Sequence, residues 1–98
     1  MKDFYFNENN ARYFISTHTY AEIKQEIDNT EKEAKKTLDA WSCLNNAEEI
    51  VNNERYNGLL PDRSYDPYFQ TKCLLSSLYV ELRKYIEFLE NNIKENNY

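Results

Sequence analysis

The sequence predicts a mainly α-helical single domain over residues 1–98: an antiparallel hairpin of two long helices or a small three-helix bundle, preceded by a short N-terminal β-hairpin or extended arm. Three observations carry this reading. Two stretches, 19–56 and 67–95, repeat apolar residues at steps of three and four, the period of one helical face. The chain has one Gly and two Pro among 98 residues, too few for the tight turns of a many-stranded β fold. That Gly and both prolines fall together in "NGLLPDRSYDP", residues 57–67, between the two stretches.

The first stretch opens on "TYAE", where Thr19 as N-cap and Glu22 three residues later form a capping box. Its apolar or small residues are Ile23, Ile27, Thr30, Ala34, Leu38, Trp41 and Leu44. Asp28–Lys32 and Glu31–Lys35 are spaced as i,i+4 pairs on the solvated side. Unbroken to Tyr56, such a helix would reach about 57 Å. Asn45 and Asn46 favour caps over helix interiors, and Glu49 follows Asn46 by three, so a kink or restart is expected there.

Residues 57–66 read as the reversal, with Gly58 suited to a left-handed helix end and Pro61 blocking continuation. Asp66 is a good N-cap and Pro67 suits the first helical position. The second helix then presents Leu75, Leu78, Leu82, Tyr85, Ile86, Leu89 and Ile93. Trp41, Leu38, Leu78 and Leu82 are expected to be buried together. Residues 1–18 differ in chemistry. Phe4, Tyr5 and Phe6, then Tyr13, Phe14 and Ile15, flank the polar "NENN", which reads as a β-hairpin leaning on the helices, or an extended arm; a short helix over 9–17 competes.

Leu, Ile, Val and Phe number 9, 6, 2 and 5, enough for one modest core, with nine Tyr and one Trp adding bulk. Cys43 and Cys73 are 30 residues apart with no CxxC, and the chain has a single His, so neither a metal site nor a cofactor is expected. Both cysteines read as buried free thiols in a reducing compartment. No apolar run reaches signal-peptide or membrane-spanning length, so a soluble protein in the cytoplasm of a bacterial host cell is expected.

Catalytic parts are scarce. With one His and one Gly, neither a Ser/His/Asp triad with spare parts nor a Gly-rich phosphate loop can be assembled. "RYFISTH", Arg12 to His18, is similar to the Arg-x4-6-His signature of HEPN-type ribonucleases, which are helical and usually dimeric. That resemblance covers seven residues and implies Arg12 and His18 as catalytic. A net charge of −5, with no Lys/Arg cluster beyond Lys35–Lys36, disfavours direct nucleic-acid binding.

Charge is unevenly spread. No Lys or Arg falls between Lys36 and Arg55, while Asp39, Glu48, Glu49 and Glu54 do. This window leads into a turn holding Asp62, Tyr65, Asp66 and Tyr68, residue types suited to an interface. The expectation is a non-enzymatic binding protein: an inhibitor or adaptor that docks these eight residues on a basic, nucleic-acid-facing surface of a larger protein. Small acidic phage and mobile-element proteins, anti-CRISPR proteins among them, share this size and charge. A bacteriocin-type immunity protein and a HEPN-like ribonuclease toxin are the alternatives, and the heptad-like spacing is compatible with a homodimer.

Overall fold

The computed structural model describes residues 4–58 and 67–95. It contains α1 (Glu8–Thr17), α2 (Tyr20–Tyr56) and α3 (Pro67–Glu95). Helices α2 and α3 pack on one another and α1 packs on α3, giving a rod 61 × 20 × 19 Å. The 37 residues of α2 account for nearly the whole long axis, at about 1.5 Å each.

Helix α2 starts as its sequence dictates. The Thr19 hydroxyl accepts the Glu22 amide at 3.2 Å, and the Glu22 carboxylate accepts the Thr19 amide at 2.8 Å. That amide, then the Thr19 side chain, holds the Glu22 carboxyl below its ordinary range. The helix ends at Asn57–Gly58, where Gly58 takes φ +79°. The chain can turn left-handed there because no Cβ opposes it.

No break occurs at Asn45–Asn46: α2 is continuous from Tyr20 to Tyr56. Asn45 does not turn its side chain back on the backbone. Its Oδ1 accepts Lys72 Nζ of α3 at 2.9 Å. Packing on α3 offsets a propensity penalty of about 0.6 kcal/mol per Asn.

The N-terminal β-hairpin is likewise corrected to a helix. Asn7, in the segment expected to turn, is the N-cap of α1 and accepts the Asn10 amide at 3.1 Å. Glu8 in the first turn pairs with Arg12 at 2.6 Å. Ala11 and Ile15 are buried four residues apart, the helical period. Phe6, ahead of the helix, packs on Tyr85 and Phe88 of α3, and its amide donates to Glu81 at 3.0 Å. The leading segment therefore leans on the long helices, as expected, through aromatic contacts.

The inward stripe of α2 is Ile23, Ile27, Thr30, Ala34, Thr37, Trp41, Leu44, Glu48, Val51 and Arg55, all buried or half-buried. Steps of four and three alternate throughout. On α3 the same alternation runs through Tyr68, Lys72, Leu75, Tyr79, Leu82, Ile86, Leu89 and Ile93. Both helices thus hold a strict 3.5-residue repeat, the seam of an antiparallel coiled coil. The register corrects one expected core residue: Thr37 is buried at 7% exposure, while the more apolar Leu38 stands 46% exposed. Thr37 satisfies its hydroxyl on the Glu33 carbonyl at 2.9 Å.

The core is asymmetric. Every fully buried apolar residue described lies in 11–34 or 82–89, where α1 closes the groove of the two long helices. Leu82 is buried there, but Trp41 and Leu78 are only half-buried. In the half of the hairpin beyond them, residues 37–58 and 68–80, Thr37 is the one fully buried residue among those described.

Candidate functional site

The two faces of the hairpin can be told apart by the bonds that cross it. Tyr85 of α3 donates its hydroxyl to Glu26 at 3.0 Å on the side where α1 and the Phe6 segment lie. Burial, then this carboxylate, raises the Tyr85 pKa well above its ordinary value. Lys72 reaches Asn45 on the other side. At about 100° per residue, Leu38, Glu49 and Tyr56 fall within about 40° of Asn45 and share its face. These three side chains are exposed, Tyr56 at 91%.

The acidic window does not stand as one patch. Glu48 turns into the seam, where its Oε1 accepts Lys72 Nζ at 3.0 Å; the two side chains are 18% and 14% exposed. Lys72 Nζ also lies 5.2 Å from the Trp41 ring centroid. Glu48 Oε2 is buried and makes no hydrogen bond. Sequence order hid this: Lys72 lies far along the chain yet stands amid the acids in space. The signal that could have found it is register, since Glu48 falls between Leu44 and Val51, and Lys72 three before Leu75. Glu54 and Tyr68 are half-buried, whereas Asp39 and Glu49 are exposed. Asp62, Tyr65 and Asp66 lie outside the described residues.

Arg12 and His18 both have local partners. The Arg12 guanidinium bonds Glu8 and sits 5.1 Å from the Phe88 ring centroid. His18 caps α1: its Nδ1 donates to the Phe14 carbonyl at 2.8 Å, and its ring stacks on Phe14 with centroids 3.9 Å apart. Among the described residues, no group of three or more His, Cys, Asp or Glu is placed to hold a metal ion. An open hollow lined by Tyr5, Ser76, Ser77, Val80 and Glu81 lies where the leading segment meets α3.

Cys43 and Cys73, expected to be buried, are exposed free thiols. Each falls outside its helix's inward stripe, so the seam never reaches it. No described helix is long and apolar enough to cross a membrane.

The architecture defines a small helical protein: a coiled-coil hairpin buttressed at one end by a short third helix. Comparison with protein families, curated proteins and solved structures returned no match.

Proposed function

We propose that the chain is a non-enzymatic protein-binding module, an inhibitor or adaptor whose two-helix half docks on a basic surface of a larger protein. One observation carries this reading. The core is gathered at the α1 end, and among the large apolar side chains that stand exposed, Leu38, Tyr56 and Val80 belong to the other half, at 46–91% exposure. Exposed apolar side chains grouped on one part of a small protein mark an interaction surface.

The face bearing Leu38, Glu49 and Tyr56, with Asp39 at its flank, combines such anchors with negative charge and several Asn and Ser. Aromatic and aliphatic anchors supply contact area; carboxylates select a basic partner and speed the encounter. Relative to the eight-residue site read from the sequence, Glu48 leaves the binding set because Lys72 occupies it. The finer reading, occupation of a nucleic-acid-facing surface by a phage or mobile-element anti-defence protein, is supported by small size and net charge −5.

Parallel capture from bacterial cells, using wild type and Leu38→Asp/Tyr56→Ala, tests the proposal. A partner retained by wild type and lost by the variant is expected, and equal retention would remove this face as the docking site. RNA degradation abolished by His18→Ala would favour the ribonuclease reading instead.

A further inference from the structure

We infer that the other face of the two-helix half pairs with a second copy of this chain, related by a two-fold axis, to form an antiparallel four-helix bundle. On α3, Leu74 and Leu78 lie within about 20° of Tyr85, so they share the face that α1 covers further along. On α2, Ala40, Leu44, Ala47 and Val51 lie within about 60° of Glu26, on that same face. The leading segment is bonded to α3 at Glu81, through the Phe6 amide. Beyond Glu81 the apolar strip continues: Leu74 is 69% exposed and Ala40 is exposed.

Charge selects a second copy as occupant. Lys36 and Glu54 sit at the two ends of this strip, 18 residues and about 27 Å apart on α2. An antiparallel two-fold exchanges those ends, bringing Lys36 of each copy opposite Glu54 of the other. The midpoint, residue 45, is bonded to Lys72 of α3. The axis therefore passes close to Leu74, which meets its own counterpart. The same registration sets Ala40 against Ile50 and Cys43 against Ala47, small opposite large or small, so the two α2 helices approach closely. A parallel stacking would overlay the ends already filled by α1, which leaves the antiparallel arrangement.

Size is sufficient. The strip spans about 30 Å of helix on a rod 20 Å wide, burying about 600 Å² per copy and about 1,200 Å² in total, the lower edge for a specific stable pair. This face lies opposite the one proposed for partner docking, so either inference can fail alone.

Sedimentation equilibrium of the full chain across the micromolar range tests it. Wild type should approach twice the 11.8 kDa of one chain as concentration rises. Leu74→Glu, or the milder Leu74→Gln, should remain monomeric with wild-type helicity, because Leu74 contributes little to the core of one chain. Lys36→Glu should weaken association by about tenfold, and Lys36→Glu/Glu54→Lys should restore it. A wild type that stays monomeric throughout, a Leu74→Glu variant that dimerises normally, or a double reversal no better than the single overturns the inference.

Discussion

Lys72 Nζ lies 3.0 Å from Glu48 Oε1 inside the seam of the long helices, at positions where a coiled coil ordinarily places apolar residues. A second contact, to Asn45, and the Trp41 ring complete its surroundings. The pair ties residue 48 to residue 72, as Glu26–Tyr85 ties the other end, and together they fix the antiparallel register.

Glu48→Ala should therefore destabilise the fold by about 2 kcal/mol, since it strands a largely buried ammonium. Glu48→Leu/Lys72→Met, which removes both charges, should recover wild-type stability or exceed it. Urea denaturation of the three proteins checks this. A double variant less stable than Glu48→Ala would show that the ion pair is worth more than its desolvation.

The asymmetric core predicts an asymmetric response to truncation. Ile86→Ala, at a site with no exposure, should cost about 2–5 kcal/mol. Leu38→Ala, nearly half exposed, should cost less than about 1 kcal/mol. Equal losses in thermal or urea melts would contradict the placement of the core at the α1 end.

At concentrations where the chain is monomeric, both thiols should react with a bulky thiol reagent at rates close to those in denaturant, because both are exposed in the single chain. Strong native protection of Cys43 would place it in an interface of the assembled protein, near the proposed two-fold axis.

Glu81 holds the leading segment by accepting the Phe6 amide, most strongly while ionised. The Lys84 ammonium at 2.8 Å, then the Phe6 amide, keeps its carboxyl below the ordinary value of 4.5. With the folded pKa depressed, the contribution is full above about 4.5 and is lost as pH falls through the lower folded value. The Phe6 amide resonance should move with an acidic midpoint below 4.5, and Glu81→Gln should abolish that titration. A Phe6 amide resonance unmoved by Glu81→Ala, which removes the acceptor, would mean that the segment is held by its aromatic contacts alone.

Much of this fold was legible in the sequence where signals are local. Thr19 and Glu22 announced the start of α2, Gly58 its end, and the spacing of Leu82, Ile86 and Leu89 the inward face of α3. What escaped depends on contacts distant in sequence. Asn45 looked like a cap because its partner, Lys72, is 27 residues away. Leu38 outranked Thr37 on hydropathy, but the 3.5-residue register decided which faced α3. Tyr13, Phe14 and Ile15 favour strands in isolation, yet Asn7 as a cap and Ala11 with Ile15 on one face made a helix. The acidic window was real in sequence, and only spatial register could show that Lys72 lies within it.

The most direct test of the proposed docking face is the association rate with the captured partner. Asp39→Lys/Glu49→Lys reverses two exposed acids and leaves the Glu48–Lys72 pair intact, so the fold should change by less than about 1 kcal/mol. Stopped-flow or surface-binding kinetics should show association slowed by at least about tenfold. The wild-type rate should also fall as salt shortens the screening length to about 10 Å and below. A reversed variant that associates as fast as wild type, with no salt dependence in either, would contradict the claim that this face docks on a basic partner.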